Sequence, residues 1–181
     1  MNRHLTPVCK TAILNNGIPA SGKSTITRLL AETFSLPVLT IDGIKEPFMA
    51  RLAPVDRPMN RQLGCAAYEV IWSIVAASPA SMVWLIDAWF GFQPRETLQK
   101  LLRQAGVEQV IEIWNHISPE LAVARYASRL ATRPPGHPGE EYLPELAQLA
   151  GRAQPMSLGP LLTIDQQRPL EITAVIHWLE G

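Results

Sequence analysis

Short apolar runs alternate along the chain with longer segments whose apolar residues recur every three or four positions. Runs that are apolar throughout are typical of strands buried on both faces of a parallel sheet. They predict five strands, over residues 11–15, 37–42, 82–87, 109–115 and 161–165. The alternation of these strands with helices predicts an α/β fold in which helices cover both faces of the sheet.

The segments between the strands carry the period of amphipathic helices. The stripe over residues 60–78 is the clearest, and Pro94 opens another helix. Ser118 is expected to cap a helix that continues to about Thr132, where the prolines that follow end it. Further helices are predicted directly after the first strand and over residues 171–180.

The composition narrows the class of protein. A length of 181 residues predicts one domain over residues 1–181, and 47% hydrophobic residues supply its core. The 16 basic and 16 acidic residues cancel, so the net charge gives no reason to expect a nucleic acid partner, which would need a local basic groove.

Cys9 and Cys65 are far apart and indicate neither a zinc site nor a disulfide framework. Because no apolar run has the length of a signal peptide core or a membrane span, we expect a cytoplasmic protein with no membrane partner.

The stretch GIPASGKST, residues 17–25, lies between the first strand and its helix and fits a phosphate-binding loop. Glycines permit backbone angles that point successive N–H groups at phosphates, and the start of the helix adds more donors and a positive dipole end. We expect Lys23 to bridge the β- and γ-phosphates and Ser24 to bind Mg²⁺. The residues predicted to bind the nucleotide are Gly17, Ala20, Ser21, Gly22, Lys23, Ser24 and Thr25.

Two of the predicted strands end on aspartates, Asp42 in LTID and Asp87 in WLID. Ligands of open parallel sheets bind beyond the carboxyl ends of the strands, so both aspartates are expected beside the glycine loop. Asp42 suits a base that accepts the proton of an attacking hydroxyl, and Asp87 suits a metal partner that holds Mg²⁺. The two roles can be exchanged, Asp87 can instead bind the substrate, and either aspartate can instead cap the next turn.

Arg125, Arg129 and Arg133 are spaced four residues apart, which places them on one face of a helix. The segment rich in proline and glycine that follows predicts a lid over residues 129–141, and an arginine carried over the triphosphate would stabilise the transferring charge. Arg129 and Arg133 are nearest to this lid, so they are predicted to be catalytic together with Lys23 and Asp42. A solvated basic face is the alternative.

Cationic and aromatic residues occupy the segments that would flank an acceptor. They are Lys45, Arg57, Arg61, Tyr68, Trp89, Phe90 and Phe92. The aromatic side chains can wall a pocket for a ring or can pack in the core. Asp165 is interpreted as a turn residue after the fifth strand, near the pocket for the nucleotide base. His137 is interpreted as a histidine of a surface loop, with contact to phosphate as the alternative.

The chain resembles the small P-loop kinases, in particular the group that contains polynucleotide 5′-hydroxyl kinase domains, zeta-toxin-type kinases and chloramphenicol phosphotransferases. The resemblance is carried by ILNNGIPASGKST, LTIDGIKEPF, VWLIDAWF, RYASRLATRPPGH and LLTIDQQRPLE. It implies a three-layer P-loop NTPase fold with a parallel sheet in the order 2-3-1-4-5. It also implies that Asp42 is the base and that Arg129 or Arg133 is the lid arginine. Lys45 stands where polynucleotide kinases often carry an arginine.

These observations favour an ATP-dependent phosphotransferase that uses Mg²⁺ and transfers the γ-phosphate to a hydroxyl of a small molecule. One alternative is a regulatory or binding NTPase, which has the same glycine loop but needs no acceptor pocket. A polynucleotide 5′-hydroxyl kinase is another alternative, and it would need a basic channel that the balanced charge does not favour.

Overall fold

The computed structural model describes residue 5 and residues 8–181, and its centre is a parallel sheet. The strands are β1 (Thr11–Asn16), β2 (Val38–Thr40), β3 (Val83–Ala88), β4 (Gln109–His116) and β5 (Leu161–Asp165). Their order across the sheet is β2-β3-β1-β4-β5, and every neighbouring pair is parallel. The α/β fold and the order implied by the resemblance are therefore confirmed.

Helices cover both faces of this sheet. They are α1 (Lys23–Phe34), α2 (Ile41–Leu52), α3 (Arg57–Ala77), α4 (Arg95–Gln104), α5 (Pro119–Ala127), α6 (Leu143–Arg152) and α7 (Ile172–Glu180). Within the part of the chain that the structure describes, each helix is too short or too polar to span a bilayer.

The central strand β1 is buried along its whole length because both of its faces pack against helices. Ala12 and Leu14 join the core formed with α3 and α4, whereas Ile13 joins the core formed with α1 and α7. Successive side chains of a strand point to opposite faces, so a strand covered on both sides carries apolar residues on both faces. This packing explains the short apolar runs in the sequence.

A third apolar cluster supports the segment that follows β1. Ile18 packs there with Ala122 and Tyr126 of α5 and with Leu146 of α6. Because Ile18 lies in the glycine stretch, the packing of α5 and α6 helps to fix the loop after β1.

The prediction that Asp42 ends the second strand is wrong. β2 ends at Thr40, whose side chain caps α2 by accepting a hydrogen bond from the Gly43 N–H at 2.8 Å. The cap starts the helix at Ile41, so Asp42 lies in the first turn of α2. The sequence did not reveal this helix, partly because Pro47 lies inside it. The helix α6 was also missed.

The helix predicted to continue to Thr132 ends earlier, at Ala127. The hydroxyl of Ser128 donates to the carbonyl oxygen of Arg125 at 3.0 Å, a local bond that competes with the helical pattern. A short 3₁₀ turn over Leu130–Thr132 follows. The prediction that three arginines share one helical face is therefore wrong, because the helix ends before the second of them.

Candidate active site

Three strands end side by side at the carboxyl edge of the sheet. In the register of β1, β2 and β3, Thr40 lies beside Asp87, and Asp87 lies beside Asn15. The glycine stretch follows β1 directly, and Asp42 lies two residues beyond Thr40. The strand register therefore brings the glycine loop and both aspartates to one edge, where ligands of such sheets bind.

The glycine loop, residues 17–22, turns sharply into α1. Gly22 has a φ of +86°, in the left-handed region that favours glycine. A Cβ on Gly22 would lie 2.5 Å from Oε1 of Gln166, and a Cβ on Gly17 would lie 2.4 Å from Oγ of Ser21. The turn and its close neighbours therefore explain why glycine occupies both positions.

The start of α1 offers hydrogen-bond donors that the protein leaves without side-chain partners. Gly22 provides no side-chain cap, and the first turn of α1 contains no acidic residue. Oγ of Ser21 is buried and has no hydrogen-bond partner among the residues described. Free N–H groups and the positive end of the helix dipole favour a bound anion. This part of the structure therefore fits the phosphate groups that the sequence predicts.

Lys23 lies across the glycine loop. Its Nζ donates a hydrogen bond to the carbonyl oxygen of Ile18 at 3.0 Å. Desolvation lowers the pKa of Lys23 below its ordinary value, whereas the nearby carboxylates of Asp87 and Asp42 act to raise it. Lys23 is therefore within electrostatic reach of both aspartates that the sequence places in the site.

Asp87 and Ser24 approach the loop from neighbouring elements, β3 and α1. Asp87 is only 6% exposed and accepts a hydrogen bond from Oγ1 of Thr27 at 3.1 Å. Ser24 is exposed in the first turn of α1, as is Thr25. Carboxylate and hydroxyl oxygens are ligands that Mg²⁺ prefers, so the chemistry of these donors fits the ion predicted here.

A continuous chain of hydrogen bonds runs beneath the glycine loop. Oγ1 of Thr27, which donates to Asp87, accepts from Nδ2 of Asn15 at 2.7 Å. Oδ1 of Asn15 accepts from Nδ2 of Asn115 at 2.6 Å. Oδ1 of Asn115 in turn accepts from Nε2 of Gln166 at 3.0 Å. We refer to these five residues as the polar chain.

The polar chain is tied to the loop and to α5. Nδ2 of Asn15 also donates to the carbonyl oxygen of Lys23 at 2.8 Å. At the other end, Nη1 of Arg125 donates to Oε1 of Gln166 at 3.1 Å, and Nη2 donates to its carbonyl oxygen at 3.2 Å. Buried hydrogen bonds that are fully satisfied stiffen the structure around them, so the polar chain holds the glycine loop from below.

Sequence reasoning missed the polar chain, although part of a signal was present. Asn15 and Asn115 stand near the ends of strands that are otherwise largely apolar, and both are fully buried. Because buried amides need partners, two such asparagines indicate a hydrogen-bonded pair. Thr27 and Gln166 gave no comparable signal, since each lies in an ordinary polar context of a helix or a turn.

Asp42 presents an accessible carboxylate from the first turn of α2. Its side chain is 60% exposed, and its Oδ1 lies 3.0 Å from Nζ of Lys45. Partial burial raises the pKa of Asp42, but the charge of Lys45 and its hydrogen bond outweigh that effect, with help from His137 and Lys23. The pKa therefore lies below its ordinary value, and Asp42 is a carboxylate at neutral pH that is open to a proton donor.

The two predicted catalytic arginines have different surroundings. Arg129 is exposed, and it forms no ion pair within the described part of the chain. Arg133 lies over the ring of Tyr126, with the guanidinium carbon 4.5 Å from the ring centroid. Both guanidinium charges lower the pKa of Lys23, so both lie within electrostatic reach of the glycine loop.

The segment predicted to be a lid, residues 129–141, packs beside α2 and α3, and we call it the lid segment. Nδ2 of Asn60 donates to the carbonyl oxygen of Gly136 at 2.7 Å, and Nε2 of His137 lies 2.8 Å from Oε1 of Glu46. The side chain of His137 is only 3% exposed. The interpretation of His137 as a surface histidine is therefore wrong, because its loop folds back onto α2.

Asp42, Glu46 and His137 place three potential metal-ligand atoms within 4.8 Å of one another. Nη2 of Arg133 lies 2.9 Å from Nδ1 of His137, and a guanidinium can only donate a hydrogen bond. Nδ1 must therefore accept, which puts the proton of the neutral imidazole on Nε2, the nitrogen facing Glu46. A protonated nitrogen cannot bind a metal, so hydrogen bonds account for this cluster.

The cationic residues predicted to flank the acceptor are dispersed. Lys45 is only 7% exposed and pairs with Asp42. Arg57 forms an ion pair with Glu145 of α6, and Arg61 is exposed on α3. Lys45 is therefore the member of this group that contacts a candidate site residue.

The aromatic residues after β3 serve mainly as core. Tyr68 packs edge-on against Phe90 and Phe92, with ring centroids 6.1 Å and 5.0 Å apart. Phe90 is fully buried, and Trp89 is half-buried against Trp114 at 5.9 Å. Tyr68, Phe90 and Phe92 therefore pack in the core and do not wall an acceptor pocket, because their rings fill the space between the sheet and α3.

The turn after β5 begins at Asp165. Its Oδ1 accepts a hydrogen bond from the N–H of Gln167 at 3.0 Å, and its Oδ2 lies 3.3 Å from Nε of Arg168. The turn at Asp165 is therefore confirmed, and its place near the base pocket stays a prediction.

No protein-family model matches the chain, and no curated protein matches it. Among solved structures, a candidate kinase from Chloroflexus aurantiacus J-10-fl is 27% identical with a TM-score of 0.77, and the match covers 97% of each chain. A sugar kinase from Janibacter sp. HTCC2649 is 20% identical with a TM-score of 0.57 over 95% of each chain. A gluconokinase from Sinorhizobium meliloti 1021 is 16% identical with a TM-score of 0.57, over 98% of this chain and 91% of the other.

These similarities show that the chain has the fold of the P-loop kinases, with its sheet in the order that this fold requires. The narrower resemblance, to the group of polynucleotide kinases, zeta toxins and chloramphenicol phosphotransferases, stays a prediction.

Proposed function

We propose that this protein is an ATP-dependent phosphotransferase that moves the γ-phosphate to a hydroxyl of a small molecule. The observation that carries the proposal is the meeting of Lys23, Asp42 and Asp87 at one edge of the sheet, beside a helix start without a cap. The similar structures described as kinases support this reaction class. The sugar kinase and the gluconokinase among them favour a small polar acceptor.

The nucleotide would be held by the glycine loop and by the first N–H groups of α1, with Lys23 on the β- and γ-phosphates. Ser24 and Asp87 would hold Mg²⁺, which would neutralise phosphate charge. Beneath them, the polar chain links Asp87 to the end of the loop. Thr27 donates to Asp87 and accepts from Asn15, which also donates to the carbonyl oxygen of Lys23.

Asp42 serves as the base in this proposal. It accepts the proton of the acceptor hydroxyl while the hydroxyl oxygen attacks the γ-phosphorus. The new O–P bond forms as the bond from the γ-phosphorus to the β,γ-bridging oxygen breaks, and ADP leaves with that electron pair. Arg129 and Arg133, carried by a lid over residues 129–141, stabilise the charge on the transferring group.

The proposal is tested by a screen of hydroxylated metabolites, sugars, sugar acids, nucleosides, antibiotics and oligonucleotides for ATP-dependent phosphorylation. ADP release that one small acceptor stimulates, with a phosphorylated product seen by mass spectrometry, is the expected result. ADP release that no acceptor stimulates would instead favour the regulatory NTPase, and phosphorylation confined to oligonucleotide 5′ ends, weakened by salt, would favour the polynucleotide kinase.

A further inference from the structure

We propose that His137 is a positioning residue, which in its neutral Nε2–H form accepts a hydrogen bond from Arg133 and orients that arginine toward the transferring phosphoryl group. The inference rests on the proposed function, in which Arg133 stabilises the transferring charge. Glu46 completes the arrangement, because it accepts the proton on Nε2 and fixes the tautomer.

The guanidinium of Arg133 is constrained on several sides. Its carbon lies 4.5 Å from the centroid of the Tyr126 ring, a stacking geometry that favours a cation. Nη2 is 2.9 Å from Nδ1 of His137, and Nε is buried without a hydrogen-bond partner in the described residues. Nη1 donates no hydrogen bond to any described residue. It is therefore the nitrogen left to contact a ligand.

Hydrogen bonds through His137 and Glu46 link Arg133 to α2, the helix that carries the candidate base Asp42. Asp42 and Glu46 are four residues apart in α2, so they lie on the same face of that helix. Glu46 bonds to His137, and His137 bonds to Arg133. One face of α2 therefore positions both the Asp42 carboxylate and, through Glu46 and His137, the guanidinium of Arg133. A movement of α2 relative to the lid segment would displace the two groups together.

His137 can play this role only while its imidazole is neutral. It faces Glu46, Asp42 and Lys45 from α2, and Arg133 from its own segment. Burial lowers the pKa of His137, the cations Lys45 and Arg133 lower it further, and Glu46 and Asp42 oppose them. Once protonated, both ring nitrogens donate, so Nδ1 no longer accepts from Arg133 and two cations face each other.

A matched pair of substitutions separates the two contacts of His137. In His137→Asn the amide oxygen takes the place of Nδ1 and can still accept from Arg133. In His137→Gln the amide nitrogen reaches the place of Nε2 and can still donate to Glu46. We expect His137→Asn to keep kcat within about threefold of the native value, and His137→Gln and Arg133→Ala to lower kcat about 100-fold.

The pH profile supplies a second readout. The native enzyme should lose kcat as the pH falls below the pKa of His137, which lies under its ordinary value of 6.5. His137→Asn should lack this loss, since an amide does not titrate. An unchanged acid limb in His137→Asn would overturn the inference, as would an active His137→Gln beside an inactive His137→Asn.

A measurement without turnover distinguishes failure of this inference from failure of the proposed function. The ¹⁵N chemical shifts of the imidazole report which ring nitrogen carries the proton. The expected result is the Nε2–H tautomer, with an Nδ1 shift that moves on Arg133→Ala. An Nδ1–H tautomer would overturn the positioning role even in an active kinase. The absence of any phosphorylated acceptor would overturn the proposed function while this signal stayed readable.

Discussion

The two halves of the candidate site are held in different ways. The nucleotide half, made of the glycine loop and the polar chain, is anchored in the sheet, and Asn115 and Asp87 there are 0% and 6% exposed. The lid half, made of α2 and the lid segment, depends on bonds between a helix and a loop, and the side chains of Asp42 and Glu46 are 60% and 35% exposed. Networks that are buried throughout resist local opening more than pairs in which one partner is exposed, so we expect the lid half to be the part that adjusts to an acceptor.

The largest effect is expected in the nucleotide half, from Lys23→Met. The substitution removes the cation expected on the β- and γ-phosphates, so turnover should fall by about 1,000-fold or more, and nucleotide affinity should fall with it. ADP release and calorimetric titration with ATP measure the two effects. Lys100→Met, at an exposed position of α4, is the matched control and should behave as native. A Lys23→Met protein that turns over normally would contradict the assignment of the loop.

In the lid half, Asp42→Asn should separate chemistry from nucleotide binding. Loss of the base should lower turnover about 100-fold to 10,000-fold, while the Kd for ATP stays within about threefold. The control is Asp56→Asn, because asparagine still caps the start of α3. Equal losses of binding and turnover would argue against Asp42 as the base.

The free energy of unfolding should also respond more strongly to a substitution in the nucleotide half than to one in the lid half. Asn115→Leu leaves the amides of Asn15 and Gln166 without their partner, so the free energy of unfolding should fall by about 2–4 kcal/mol. Glu46→Gln removes charge from a partly exposed pair and should cost less than about 1 kcal/mol. Urea unfolding measures both, with Gln104→Leu as a control for loss of an exposed amide. Similar losses in the free energy of unfolding for Asn115→Leu and Glu46→Gln would contradict the difference between the two halves.

The smallest effect is a dependence of stability on pH that belongs to the lid half. The pKa of His137 is lower in the folded protein than in the unfolded chain, so the unfolded chain binds more protons once the pH falls below about 6.5. The contribution of His137 to stability is therefore present at neutral pH and declines on acidification. Urea midpoints across this range should fall less steeply for His137→Asn than for the native protein, and parallel curves would refute the effect.

The place of the glycine loop between β1 and α1 was predictable because its signal is local. Gly17, Gly22 and Lys23 are close in sequence, and the backbone of a short loop after a strand decides where they lie. Even so, the sequence did not reveal the partners beneath the loop. Asn15 and Asn115 are separated by 100 positions, and only the pairing of β1 with β4 brings them together.

The lid half was predicted less well because its geometry depends on how separate elements pack. The sequence places Asp42 at the correct sheet edge for a partly wrong reason, since Asp42 lies in the first turn of a helix whose cap, Thr40, lies in the row of strand ends. The burial of His137 and its bond to Glu46 join residues 91 positions apart. No periodicity or motif in either segment indicates that contact.

Neighbouring residues in the sequence are enough to predict the five strands along the chain, the glycine loop after the first of them and the candidate charges, because strand burial, helix period and glycine geometry act over short stretches. The tertiary structure alone decided which of those charges meet. It buried the polar chain, placed Lys45 on Asp42 and turned His137 toward Arg133. The physical reason is that hydrogen bonds and ion pairs act over a few ångströms in space, and chain folding sets those distances between residues that are remote in sequence.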